Sequence, residues 1–214
     1  MSEMASGSLS RPGLLAAAAS LFVSCTGVSW SIRNPGCPVV PISSSDLPGP
    51  RQLRARMQFT MSGDEAYLEA VTGGTPDDLV VVGIAQYGVR LFAVHQRGRE
   101  ISVEGALSRR FEHLALWTLD VLHRAFWIQP PPDIEPGAVV NWDWENERVT
   151  DVREGGGGWR EFTRHGSDPA SARVVIRYTA ATAGTSAGPR VEIYNPWCGY
   201  EAVVAVLEVE GARR

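Results

Sequence analysis

Histidines offer the clearest acid–base or metal-binding chemistry in this sequence, which contains four of them. His113 and His123 lie in one predicted helix, but they are ten residues apart, about three helical turns, which is too far for one metal ion. Neither His95 nor His165 has ligand spacing with a cysteine or a carboxylate. We therefore predict no metal site, and we expect His113 and His123 to lie on a solvent-exposed helix face.

Acidic side chains alternate with tryptophans in Asn141–Glu147. A pair of carboxylates in this segment could act as general acid and general base. The same alternation is typical of an amphipathic strand with Trp142 and Trp144 on one face, and we favour this structural interpretation.

Two further patterns resemble catalytic motifs only loosely. Gly155–Gly158 lacks the lysine and the serine or threonine of a phosphate-binding loop, so a hairpin tip is the better interpretation. Ser167 and Asp168 lie near His165, but a catalytic triad is defined by geometry and not by proximity in sequence. We predict no catalytic residue, no cofactor and no enzymatic activity.

The N-terminus has the features of a lipoprotein signal peptide over residues 1–24. Arg11 precedes the short apolar run Leu14–Val23, which is the length of a signal-peptide core and too short to span a bilayer. Cys25 follows at once, and Leu21-Phe-Val-Ser-Cys25 resembles a lipobox, so we expect acylated Cys25 to anchor the protein to a membrane. Thr26 in place of aspartate favours the periplasmic face of the outer membrane. An ordinary secretory signal, or a buried helix with an incidental cysteine, is the alternative.

The segment 25–50 is rich in proline and serine and is predicted to be a tether in front of a single domain over residues 51–214. The alternative is a partly docked segment held down by Cys37. In an oxidising compartment Cys37 and Cys198 could pair, or they could be two unrelated thiols.

Composition excludes some classes of partner. The net charge is −4, and every basic residue is arginine. No basic stripe is present, so we expect no nucleic-acid partner. Beyond the signal peptide, no hydrophobic stretch is long enough to span a membrane.

Short segments of β-branched and aromatic residues, separated by turn signals, predict a mainly β domain. Many strands at close spacing indicate an antiparallel sheet, open or curled. The predicted strands are Asp78–Ile84, Val89–Val94, Glu100–Glu104, Arg173–Tyr178, Val191–Tyr194 and Ala202–Val209, and two further β segments, Val139–Val152 and Trp159–Thr163, lie on either side of Gly155–Gly158.

One segment, 110–126, has helical periodicity with an apolar half and a polar half. We expect this amphipathic helix to lie across the concave face of the curled sheet, where a cavity for acyl chains can form. The residues predicted to face this cavity are Phe111, Leu114, Leu119, Val121 and Leu122.

Three segments carry a resemblance to a known family: Asp78-Leu-Val-Val-Val-Gly-Ile-Ala-Gln-Tyr-Gly-Val-Arg-Leu-Phe92, Leu114-Ala-Leu-Trp-Thr-Leu119 and Asn195-Pro-Trp-Cys-Gly-Tyr200. They resemble an uncharacterised bacterial lipoprotein family, a domain of unknown function found with gene clusters of the aryl polyene type. That family is similar to the lipoprotein carrier and receptor LolA and LolB. The resemblance implies an open, incomplete antiparallel β-barrel covered by helices, and it supplies no catalytic residues.

Three functional hypotheses follow. The first is a lipid-anchored protein that binds or transfers lipid, lipoprotein or acyl-chain cargo at the outer membrane. The second is a structural or scaffolding lipoprotein with a solid core and an envelope protein partner. The third is an envelope enzyme, and this hypothesis rests only on scattered histidines and acidic residues.

Overall fold

The computed structural model describes residues 42–47, 52–75, 77–130, 135, 137–154, 157–168, 172–180 and 189–209. The predicted signal peptide, Cys25, Cys37 and most of the predicted tether lie outside the described residues. The strands are β1 (Leu53–Met61), β2 (Asp64–Thr75), β3 (Asp78–Ile84), β4 (Arg90–Arg97), β5 (Glu100–Glu104), β6 (Val139–Trp144), β7 (Glu147–Glu154), β8 (Gly157–Arg164), β9 (Arg173–Thr179), β10 (Arg190–Asn195) and β11 (Tyr200–Val209). Helix α1 spans Arg109–Leu122 and continues as a π-helical turn over His123–Trp127.

All eleven described strands form one sheet in the order β5-β4-β3-β2-β1-β11-β10-β9-β8-β7-β6. Every neighbouring pair is antiparallel. The first and last strands pair at the centre of the sheet, while β5 and β6 are its two edges. The sheet does not close into a barrel, so the predicted mainly β fold with an open antiparallel sheet and a helix is confirmed.

Period-2 burial explains why these segments are strands. In β1 the alternate side chains from Leu53 to Met61 are buried, and Arg54 and Arg56 between them are exposed. Strands β1 and β2 were not among the predicted strands, although both alternate in this way. In contrast, Asn141–Glu147 is not one strand, because Glu145 and Asn146 form the turn between β6 and β7.

Helix α1 connects the two edge strands and lies against the inner face of the sheet. It contacts β3 and β4 on one side. On the other side Trp117 stacks on Tyr200 of β11, with ring centroids 5.4 Å apart. The curl of the sheet is also evident in the ion pair between Arg99, in the β4–β5 turn, and Glu145, in the β6–β7 turn. Strands from opposite halves of the sheet therefore surround the helix.

This enclosure overturns the prediction that His123 lies on a solvent-exposed helix face, whereas His113 is partly exposed. Asp120, His123 and Arg124 are only 1–2% exposed. Helical periodicity correctly separates polar from apolar positions, but exposure depends on what covers each half. Here β7, β8, β10 and β11 cover Asp120 and Arg124, and β4 covers His123.

The cross-strand pair Gly83 and Phe92 shows how tightly the β3–β4 hairpin is packed. A Cβ atom on Gly83 would lie 2.3–2.7 Å from the Phe92 ring. Phe92 is itself fully buried in the core, so the ring has little room to move.

We predict that Gly83→Ala lowers the free energy of unfolding by about 1–3 kcal/mol, because an added methyl group overpacks the core. Gly73→Ala is the matched control, since Gly73 also lies in a strand but a Cβ atom added there would meet nothing within 4 Å. Urea denaturation of both variants checks the prediction. Equal midpoints for the two variants would contradict it.

Candidate functional site

Five charged side chains are buried beneath the second half of the helix. They are Asp120 and Arg124 of the helix, Glu147 and Asp151 of β7, and Arg160 of β8, and each side chain is at most 5% exposed. We call these five residues the buried ionic cluster. Burying charge is unfavourable unless every group is paired and hydrogen-bonded, so the pairing within the cluster is decisive.

Arg124 joins the helix to the sheet. Its Nε donates to Oδ1 of Asp120 at 2.9 Å, one helical turn earlier. Its two terminal nitrogens donate to the two carboxylate oxygens of Glu147 at 2.7 and 3.1 Å. The guanidinium also lies over the Phe162 ring, 4.7 Å from the centroid. Arg124 therefore makes a bidentate ion pair and a cation–π contact with the wall of the sheet.

Arg160, on the neighbouring strand β8, binds the end of the helix. Its Nε and Nη2 donate to Oδ2 of Asp151 at 3.2 and 2.7 Å. Its Nη1 donates to the carbonyl oxygens of Arg124, at 3.1 Å, and of Ile128. Carbonyl groups at the end of a helix lack partners within the helix, and Arg160 supplies them. The guanidinium is flanked by the rings of Trp142 and Tyr178, each 5.7 Å from its carbon.

The second oxygen of Asp120 faces β10 and β11. Oδ2 accepts from the Tyr200 hydroxyl at 2.9 Å and from Nδ2 of Asn195 at 3.5 Å. Oδ1 of Asn195 in turn accepts from the backbone N–H of Cys198 at 3.0 Å. Cys198 is disulfide-bonded. Cys37, whose pairing with Cys198 is one of the two alternatives considered from the sequence, lies outside the described residues, so this pairing stays a hypothesis.

Burial changes the acid–base behaviour of the cluster. Burial raises the pKa of the Asp120 carboxyl, and the charge of Arg124 and the Tyr200 hydrogen bond only partly oppose this. Burial acts to lower the pKa of Arg124, but the Asp120 and Glu147 carboxylates outweigh it and raise the pKa above its ordinary value. Arg124 therefore stays charged, whereas Asp120 takes up a proton more readily than an exposed aspartate does.

The domain that carries this cluster can be assigned to a family. The model of the family described as "Protein of unknown function (DUF3261)" matches residues 52–207. The chain belongs to this family. The match runs from the start of β1 almost to the end of β11, so the family domain comprises the whole described sheet and helix. A comparison with curated proteins found no match.

The residues predicted to face a cavity are brought together in the core of this family domain. Leu114, Leu119, Val121 and Leu122 are at most 2% exposed, and Phe111 packs against them while partly exposed. They form a continuous core with β3 and β4. A cavity-lining role for them stays a prediction.

The remaining chemistry-bearing residues do not converge on one site. His95 lies 3.7 Å from Asp78 and 3.8 Å from Glu104 at the β3–β5 edge. His165 lies 3.3 Å from Asp143. Within the described ranges no group of three metal-ligating side chains occurs, and no helix there is long and apolar enough to cross a membrane.

The buried ionic cluster was not predicted from the sequence. One signal was available in β7, where Glu147 and Asp151 fall on the same face as Val149, which is fully buried. Asp120 and Arg124 also have the four-residue spacing of a helical ion pair. Neither signal distinguishes a buried pair from a surface pair.

His123 occupies a second buried polar site, on the β4 side of the helix. Its Nε2 lies 2.9 Å from Oε1 of Gln96, and its Nδ1 accepts from the backbone N–H of Ile42 at 3.2 Å. Since Nδ1 accepts, the proton of the neutral ring lies on Nε2 and is donated to Gln96. Residues 42–47, part of the predicted tether, are docked here, and Ser44 exchanges hydrogen bonds with Gly98.

Burial lowers the pKa of His123 to about 3, with the charge of Arg124 as a second cause. Because this folded-state pKa lies below the unfolded value of about 6.5, the unfolded chain binds the proton first as the pH falls. The stability contributed by neutral His123 is complete above pH 6.5 and is lost progressively toward pH 3.

We predict that wild type loses roughly 2–3 kcal/mol more unfolding free energy than His123→Gln between about pH 6.5 and 4.5. Glutamine can accept from Ile42 and donate to Gln96 without titrating. Denaturant unfolding at the two pH values checks this, and measurements at pH 8 give the cost of the substitution itself. Parallel pH profiles for the two proteins would contradict the prediction.

Proposed function

We propose that this protein is a lipid-anchored, non-catalytic protein of the bacterial envelope that binds or transfers lipid, lipoprotein or acyl-chain cargo. It is attached through acylated Cys25 at the periplasmic face of the outer membrane. The cargo occupies the space between the helix and the inner face of the open sheet. The single observation that carries the proposal is that helix α1 lies across the concave, apolar face of a sheet that does not close.

The way in which the helix is held supports this proposal. Its second half is attached to β7 and β8 by hydrogen bonds and ion pairs of Arg124 and Arg160. Charged groups regain hydration when they separate, so a buried ion pair adds less net stability than an apolar contact of similar volume. This half of the helix can therefore leave the sheet at a smaller free-energy cost than if the contact were apolar. An acyl chain then replaces the helix against apolar side chains such as Phe92 and Val81, which are fully buried.

A scaffolding lipoprotein with a solid core is the second candidate. The observation that favours it is the complete burial of Leu119, Val121 and Leu122. In that role the helix never leaves the sheet, and an envelope protein docks on the outer surface. A groove of about 560 Å³ on the outside of β9–β11, lined by Arg173, Arg177, Glu192 and Glu201 among others, is one place for such contact.

The cargo hypothesis predicts that the full chain, purified from bacterial envelopes, carries a stoichiometric acyl-containing ligand detectable by lipid mass spectrometry. Replacing the whole ionic attachment, with Arg124→Met and Glu147→Met combined with Asp120→Asn so that no buried carboxylate is left without its cation, should hold the helix more firmly and lower the bound cargo about fivefold. Melting temperature should stay equal or rise, since apolar replacements of buried ion pairs are often neutral or stabilising.

The matched control is Arg54→Met with Glu69→Met, which removes a partly exposed ion pair from the outer face. This control should carry as much cargo as wild type. An empty wild-type protein, or an Asp120/Arg124/Glu147 triple variant that folds and carries the normal amount, supports the scaffolding role instead.

The anchor gives a separate prediction. Cys25→Ser should leave the precursor uncleaved by the lipoprotein signal peptidase and without acyl chains, because the thiol is the acylated group. Mass spectrometry of the membrane fraction measures both changes. Normal processing and acylation in this variant would show that the attachment is of another kind.

A further inference from the structure

Glu147 and Phe162 form a cation-binding site on the inner face of the sheet, and the chain's own Arg124 occupies this site. The Glu147 carboxylate binds both terminal nitrogens of the guanidinium, at 2.7 and 3.1 Å. The Phe162 ring lies beneath the same group at 4.7 Å, and Trp144 packs edge-on against Phe162. A carboxylate beside an aromatic face is the chemistry that recognises positive charge.

Without the helix, the inner face of β7 and β8 carries an uncompensated negative charge. Among the described residues, the buried charged groups that the sheet contributes are Glu147, Asp151 and Arg160. Asp151 and Arg160 pair with each other through two hydrogen bonds. Among the residues that the structure describes, Arg124 of the helix is the only charged partner of Glu147. When the helix is displaced, Glu147 therefore needs another cation or a full hydration shell.

We propose that the cargo is an amphiphile with an apolar chain and a positively charged ammonium head, and that the head takes the place of the Arg124 guanidinium between Glu147 and Phe162. This inference rests on the proposed cargo-binding function. The apolar chain then follows the core surface that the helix covers, beside residues such as Phe92. An anionic head is disfavoured, because it would meet a carboxylate where the helix presents a guanidinium.

The test uses the full chain with Cys25→Ser, so that the protein carries no acyl chains of its own. Decylammonium, decanol and decanoate, each below its micelle concentration at neutral pH, are titrated by isothermal calorimetry. These probes share one chain and differ only in the charge of the head. We expect decylammonium to bind about tenfold or more tightly than decanol, the difference that a charge-assisted hydrogen bond gives, and decanoate to bind most weakly.

Variants test whether the preference for decylammonium over decanol arises at the site formed by Glu147 and Phe162. Glu147→Gln should make the affinities of decylammonium and decanol equal, whereas Glu161→Gln, on the outer face of the neighbouring strand, should keep the preference. Arg124→Met removes the internal occupant and should raise decylammonium affinity about tenfold, with a smaller change for decanol. Circular dichroism checks that each variant is folded.

The outcomes separate this inference from the proposed function. If the three probes bind equally to wild type, or if Glu147→Gln keeps the ammonium preference, the cationic-head inference is wrong and cargo binding stands. If no probe binds to wild type or to Arg124→Met, the cargo-binding function itself fails. If Glu147→Gln does not fold, the ranking in wild type and the gain in Arg124→Met decide the question.

Discussion

The guanidinium of Arg124, buried between Asp120 and Glu147, is the interaction on which the rest of the structure depends. A charged group in the core must have all its donors satisfied, so its position fixes the helix relative to β7 in both translation and rotation. Arg160 adds the second constraint by binding the carbonyl oxygens at the end of the helix. Because Arg160 also pairs with Asp151, the β7–β8 hairpin presents one preformed polar surface to the helix.

The helix consequently has two different interfaces with one sheet. Toward β3 and β4 it packs apolar side chains, with Leu119 and Leu122 fully buried. Toward β7 it presents Arg124, and toward β10 and β11 it presents Asp120. Apolar contacts lose free energy in proportion to the surface exposed, whereas separated ions regain hydration. The polar contacts of the second half are therefore the part of the interface whose separation costs least, although this half is more deeply buried than the first.

Much of this architecture is predictable from local periodicity, and the interactions that matter most are not. The helix over 110–126 and the strands from Asp78 to Glu104 follow from patterns of 3.6 and 2 residues. The burial of Arg124 does not, because it depends on Phe162 and Glu147, which reach the helix only when the whole sheet curls. No local pattern specifies that β1 pairs with β11, and it is this pairing that joins the two halves into one curved sheet. A polar helix face beside an apolar one is typical of a surface helix, and only the enclosing sheet makes it a core helix here.

Chain connectivity restricts how the helix can move. It begins close after β5 and leads to β6, so each end is tied to an edge of the sheet, and rigid removal of the whole helix would pull both edges. At its start, Arg110 pairs with Asp64 of β2, and Gly105, with a φ of 72°, forms the turn out of β5. At its end, the π-helical turn over His123–Trp127 departs from α-helical hydrogen bonding, and such turns are often found where function requires adjustment. A movement that breaks the contacts of Arg124 and Arg160, while the Leu114 end of the helix stays packed, satisfies these constraints. Such a movement exposes the inner face of the sheet at Glu147 first.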